Sequence, residues 1–224
     1  MLKSIIPTVR QASTAALVAA LLFVLLEPAV SYGNQITISQ TVTTEVAFTT
    51  NASNVSMAPA LGGITGGTAS GATQFAVATN DITGYIVTIQ ASSSVGMIGI
   101  ASSTNSIPAY VSAVPGVPDF AFTVPANKAY FGYTVNASTT SDLAQNFLND
   151  GATCGTGALR TALAQCWIAA TSTPYIVLNR NTPTTAGAPA TSTVAFQVTI
   201  NANPNPTIPN DIYVATTTLT AIAK

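Results

Sequence analysis

Histidine is absent from this chain of 224 residues, and charge is scarce: six Lys and Arg with seven Asp and Glu make up 6% of it, where an ordinary globular domain carries about 25%. Without histidine, neither a Ser–His–Asp nor a Cys–His catalytic arrangement can be built. Two cysteines alone also fall short of the ligand set of a structural zinc site. No stretch concentrates lysine or arginine, which excludes binding of nucleic acid or anionic lipid through charge. No uninterrupted apolar run reaches the roughly 20 residues of a membrane-spanning helix.

What is present is apolar or small and polar. Hydrophobic residues make up 48% of the chain, and Thr, Ser and Asn fill most other positions. Near the start, Lys3 and Arg10 precede an apolar run from Ala15 to Leu26, the length of a secretory h-region. Pro28 stops a helix, and Ala29-Val30-Ser31 places small residues at the two positions a signal peptidase reads. Residues 1–31 are therefore expected to be a signal peptide cleaved after Ser31, with Gly33 as the second choice. The other reading is an uncleaved anchor from Ala12 to Val30, which Glu27 interrupts. Export is expected, to the outside of the cell or its surface, with the membrane touched only through the signal peptide before cleavage. The mature chain, 32–224, is long enough for one domain with a core of its own. Lys128, Arg160, Arg180 and Lys224 stand there against Glu45, Asp81, Asp119, Asp142, Asp150 and Asp211.

Export decides how the cysteines are read. Cys154 and Cys166 are an even, closely spaced pair without a Cys-x-x-Cys redox motif. In an oxidising compartment such a pair is most simply a structural disulfide.

Period-two alternation dominates the mature chain. From Gln35 to Thr50, Ile36, Ile38, Val42, Val46 and Phe48 share the even positions, while Thr37, Ser39, Thr41, Thr43, Glu45 and Thr49 share the odd ones. This predicts a long half-buried strand, or two joined by a bend. Phe75 and Val77, the turn residues Asn80 to Gly84, and then Tyr85, Val87 and Ile89 predict a hairpin. Phe120, Phe122 and Val124 predict a strand, followed after Pro125–Lys128 by Phe131, Tyr133 and Val135. Val194, Phe196, Val198 and Ile200 form a late strand, and Tyr213 to Ala223 a closing Thr-rich β segment. Gly62–Gly71 and Asn181–Ser192 read as loops. Ser141 to Leu148 reads as a short helix capped by Ser141, and Gly157 to Trp167 as a second. The expected fold is all-β: a single antiparallel β-sandwich, jelly-roll or Greek-key-like, with a short helical insertion near residues 141–167 tied by the disulfide.

Candidate chemistry is thin. A Ser–Lys dyad would have to use Lys128, whose Pro-Ala-Asn-Lys setting reads as a solvated loop. The aspartates sit beside turn or cap signals and form no obvious pair, so a carboxylate-dependent glycoside hydrolase is the most distant function. Asn80-Asp81 and Asn210-Asp211 offer oxygens to calcium without a recognisable binding loop. A Lys–Asn cross-link would need Lys128 buried beside a carboxylate, and Glu45 is placed on the outward face. No catalytic residue, metal or cofactor is assigned. Asn51, Asn54 and Asn136 open Asn-x-Ser triplets, which matter in a glycosylating host. Tyr130 points away from Phe131 and Tyr133. It is the candidate for contact with a sugar ring, the other reading being cover for an edge or end of the sheet.

The segment Ala78-Thr79-Asn80-Asp81-Ile82-Thr83-Gly84-Tyr85-Ile86-Val87-Thr88 and the closing Asp211-Ile212-Tyr213-Val214-Ala215-Thr216-Thr217-Thr218-Leu219-Thr220-Ala221 resemble uncharacterised secreted β-proteins of candidate-phylum bacteria. More loosely, the layout is similar to WxL-type and TasA/camelysin-type surface and matrix-fibre proteins. The Trp-x-Leu motif is missing, since Ile168 and Ala169 follow Trp167. The resemblance implies a cell-surface or matrix role and carries over no functional residue. The expected function is thus a secreted structural or adhesive protein, and the expected partner another copy or a surface glycan. The free-ended Gln35–Thr50 segment suits donation to a neighbouring subunit, against pairing within its own sheet. A carbohydrate- or cell-wall-binding module is the alternative.

Overall fold

The computed structural model describes residues 37–160, 164–184 and 189–224. The expected signal peptide lies outside them. The chain divides into two units, 1–42 and 43–224. In the first, residues 37–42 are exposed and carry no regular secondary structure.

The second unit is all-β. Its strands are β1 (Val46–Thr50), β2 (Gly67–Thr79), β3 (Tyr85–Ala91), β4 (Gly96–Gly99), β5 (Ser106–Pro108), β6 (Ala129–Ala137), β7 (Tyr175–Arg180), β8 (Thr191–Ile200), β9 (Tyr213–Val214) and β10 (Thr217–Ala223). They form three antiparallel sheets, ordered β1-β2-β8-β6, β10-β3-β7 and β5-β4-β9. Thr, Val, Ile and aromatic residues make up most of β3, β6 and β8, as branched and flat side chains suit a pleated surface. One hydrophobic cluster joins the first two sheets: Phe75 and Val77 of β2, Phe131, Tyr133 and Val135 of β6 and Val194, Phe196 and Val198 of β8 meet Tyr85, Val87 and Ile89 of β3. Phe131 and Phe196 stack across the β6–β8 pair at 5.9 Å between ring centres. Full burial of each such side chain contributes about 1.5–3 kcal/mol.

Several expectations need correction. Of the long strand predicted over Gln35–Thr50, residues 35–36 lie outside the described residues; within 37–50, Val46–Thr50 is a strand, and residues 37–45 are exposed and carry no regular secondary structure. Alternation specifies which face a strand would bury, but not that a neighbour exists to pair with it. The Asn80–Gly84 turn does not close a hairpin, because β2 and β3 belong to different sheets. Gly84 (φ +89°) makes this corner, and a Cβ there would collide with the carbonyl oxygen of Arg180. Residues Gly67–Gly71, read as loop, begin β2; Gly71 lets Val55 pack flat against the sheet, where a Cβ would meet the Val55 side chain. Phe120–Val124 is not a strand. Only Asp119 bridges, to Trp167, and Phe122 packs on Tyr110 and Trp167 instead. Tyr213–Ala223 divides between β9 and β10, in separate sheets.

The helical region is also looser than predicted. Thr140–Asp142 and Gln145–Phe147 are single 3₁₀ turns, and neither has a side-chain cap, so Ser141 caps nothing. The backbone breaks between them because Ala144 N–H donates to the Val177 carbonyl at 3.0 Å, which draws the segment onto the edge of β7. Residues 157–160 and 164–167 are irregular, held by an Asn149–Leu159 bridge rather than a helix. Residues 161–163 of that prediction, and 185–188 of the Asn181–Ser192 loop, lie outside the described residues.

The disulfide is present: Cys154 and Cys166 are bonded, with Cα atoms 5.6 Å apart, and both are buried. Closing a loop of this size stabilises by about 3 kcal/mol on the chain-entropy account. A Cys154→Ser/Cys166→Ser variant is therefore expected to lose about 3 kcal/mol in urea unfolding while keeping its β-sheet circular dichroism. Unchanged stability would mean that packing around Phe147 and Leu148 holds the segment without the bond.

Candidate functional site

The outer edges of the two larger sheets are treated unequally. β6 is sealed: Tyr133 N–H donates to the Ile168 carbonyl (2.9 Å), Ile168 N–H returns the bond (3.0 Å), and Tyr110 N–H reaches the Phe131 carbonyl (2.7 Å). β7 receives the Ala144 bond described above. β1 and β10, the other two edges, approach each other and carry no such cover among the described residues.

The register shows which groups are left. Ser92 N–H donates to the Thr216 carbonyl and Lys224 N–H to the Gly84 carbonyl, so the even-numbered residues of β10 bond β3. The N–H and C=O groups of Thr217, Leu219, Ala221 and Ala223 therefore point away from the sheet. The side chains of these same residues face inward yet are only half-buried. Between β10 and the segment 51–57 that follows β1 opens a groove of about 1000 Å³, floored by core side chains including Phe48, Ile89, Phe131 and Phe196. No charged residue lines it among the described residues.

Asn80 controls the approach to β1. Its Oδ1 accepts the Glu45 N–H at 2.7 Å, and its Nδ2 donates to the Thr43 carbonyl at 2.9 Å. This holds residues 43–45 extended. The sequence places Asn80 in a turn; a clamp between residues so distant along the chain leaves no local signal.

The other candidate residues are dispersed. Tyr130 is half-buried and meets Tyr110 edge-on at 6.1 Å between ring centres. Tyr110 stacks on Phe122 at 4.6 Å, and Phe122 meets Trp167 at 5.2 Å, so an aromatic cluster covers the outer face of β6. The Tyr110 hydroxyl donates to Asp119 at 2.8 Å; burial, then this bond, push its pKa up to about 12. Lys128 is exposed, its Nζ donating to the Asn205 carbonyl at 3.0 Å. Glu45, Asn51 and Asn54 are exposed, the asparagines on the rim of the groove. Asn136 is half-buried in β6.

The aspartates act on their own surroundings. Asp81, Asp150 and Asp211 are held below the usual carboxylate range by nearby hydrogen bonds, Asp81 chiefly from the Thr83 hydroxyl, Asp150 from Thr153 N–H and Asp211 from Ala101 N–H. Asp142, expected beside a helix cap, is instead buried and paired with Arg180 at 2.7 Å. Arg160 is buried too, donating to the Gln165 carbonyl and to Thr134 Oγ1, each at 2.7 Å. Burial lowers its pKa to about 10. Among the described residues, no three His, Cys, Asp or Glu side chains gather closely enough to hold a metal ion. No protein-family model matches this chain, and no curated protein matches it in sequence.

Two outcomes follow. Removing one partner of a buried ion pair strands the other, so Asp142→Ala is expected to cost about 3 kcal/mol in chemical denaturation, and Arg180→Met a similar amount. The double variant should recover part of that loss, and additive costs would show the pair to be uncoupled. The second outcome concerns pH. Burial raises Tyr85 and Tyr110 to about 12, above the unfolded value of about 10. Their contribution is thus complete below about pH 10 and is lost as pH rises toward 12. The lowered aspartates contribute above their unfolded value of 3.8, and that contribution is lost as pH falls below it. With no histidine and no free thiol, Tm should be flat from about pH 5 to 9. Above that range it should fall in step with tyrosinate absorbance. A step near neutrality would contradict this.

Proposed function

We propose that this is a secreted structural protein of the cell surface or extracellular matrix, acting by assembly with copies of itself and not by catalysis. In this reading the two larger sheets are the layers of one β-sandwich, jelly-roll or Greek-key-like, and their common core supports it. The observation that carries the functional reading is the bare extension: Ile38 is 92% and Val42 79% exposed, in a stretch whose alternation suits a strand with one buried face. Exposed apolar side chains in ordered array mark an interaction surface. A charge-poor surface favours close packing of subunits over free dispersal. The second reading, a carbohydrate- or cell-wall-binding module, draws on the Asn and Thr side chains that rim the groove. Tyr130, packed edge-on against Tyr110, offers a sugar little of its face.

The test is Ile38→Asp/Val42→Asp in the exported protein. Both side chains already face water, so Tm is expected to change little. Unmodified protein should form higher-order species in sedimentation velocity and filaments or clusters in electron micrographs, while the variant stays monomeric. Equal assembly by both proteins would remove the extension from the function. A monodisperse unmodified protein at high concentration would remove assembly altogether.

A further inference from the structure

We infer that the side-chain amide of Asn80 replaces the backbone groups at which β2 stops, and that it thereby acts as a positioning residue for the 37–42 extension in assembly. This rests on the assembly reading and adds the residue that sets where the extension begins. The ladder shows the replacement. Val46 lies opposite Thr79, so an antiparallel pair would continue with Glu45 opposite Asn80 and Thr43 opposite Ile82. The first bond of that continuation is made by backbone: Asn80 N–H donates to the Glu45 carbonyl at 3.3 Å. The Thr79 hydroxyl donates to the same oxygen at 2.7 Å. There β2 ends, as Gly84 N–H donates to the Asp81 carbonyl at 3.1 Å and closes a turn.

The continuation still needs a carbonyl for the Glu45 N–H and an N–H for the Thr43 carbonyl. Asn80 Oδ1 provides the first at 2.7 Å and Asn80 Nδ2 the second at 2.9 Å. Among side chains, a carbonyl and an N–H donor on one carbon belong to Asn and Gln alone. Asn80 is exposed, so its amide serves these two bonds and not the core. Residues 43–45 are thus held as a strand is held, on the side facing β2. Val42, 79% exposed, is the next residue along the chain, and Ile38 shares its phase in an extended segment. Ordering a backbone segment opposes association, and a segment ordered beforehand lowers that cost. With 43–45 held in the single chain, only the residues before Thr43 remain to be ordered when the extension meets a second copy.

The test uses Asn80→Ala and Asn80→Asp in the full chain. Ala removes both bonds. Asp keeps an oxygen for the Glu45 N–H and suits the turn, but offers no N–H to the Thr43 carbonyl. Tm is expected to change little in both. In the Ala variant, hydrogen exchange should quicken at the Glu45 amide while Ala47, within β1, stays protected. By sedimentation velocity, the concentration for half-assembly should rise about tenfold. At higher concentration both variants should reach the same assemblies as the unmodified chain, the mark of lost positioning in an intact domain. If both variants assemble at the unmodified concentration, Asn80 positions nothing and the assembly reading stands. If protection is lost throughout β1 and Tm drops in both, Asn80 is a structural part of the domain and the positioning role falls. If the unmodified chain stays monomeric at high concentration, the assembly reading falls and takes this inference with it.

Discussion

The fold depends on β8, the strand paired along its length on both sides. Its residues from Thr191 to Ile200 match β2 from Ala76 back to Gly67, and nearly the same span matches β6. With both edges used, β8 exposes no backbone, and its inward Val194, Phe196, Val198 and Ile200 are all buried. Everything farther out is progressively less satisfied. β6 borrows its outer partners from the loops around Tyr110 and Ile168, β7 from the segment around Ala144, and β1 and β10 have none among the described residues. The groove is the place where this outward supply of backbone partners runs out.

Scarcity of charge shapes how polar groups are settled. One ion pair, Asp142–Arg180, is formed among the described residues. Other polar groups are satisfied by hydroxyls, amides and carbonyls, as where Asn80 clamps Thr43 and Glu45 or Thr134 receives Arg160. Such neutral bonds contribute roughly 0.5–1.5 kcal/mol each and depend little on salt. Some are incomplete: Tyr85 Oη, Tyr133 Oη, Arg160 Nε and Ser192 Oγ are buried without a partner among the described residues. The two tyrosines contribute chiefly as apolar rings in the core, and burial raises the pKa of both.

How much of this was legible in the sequence follows from the range of each interaction. The disulfide was readable because both cysteines lie in one segment. β6 and β8 were readable because alternation within a strand is local. Sheet membership was not: the residues from Asn80 to Gly84 announce a reversal of the chain, but whether the next strand pairs with the last or joins another sheet is decided by β8 and β7, far along the sequence. Asp142 next to Ser141 looks like a helix start, yet Arg180 takes the carboxylate and Val177 the neighbouring backbone. Of the candidate site, the alternating stretch before β1 was visible as a pattern and the groove was invisible, since a gap between strands has no sequence of its own.

The same period-two pattern thus has opposite outcomes at the two ends of the molecule's pairing order. In β8 it is realised as a buried face; at Ile38 and Val42 it is left in water, forgoing about 1.5–3 kcal/mol per side chain. A domain stable by only about 5–15 kcal/mol does not gain from apolar positions kept ordered in alternation and unburied. Random exposure of apolar residues would show no phase, and these are in phase with Val46 and Phe48, which do pack against the core. The extension thus keeps the pattern of a strand without the pairing of one, and β10 keeps an outer edge without a backbone partner among the described residues.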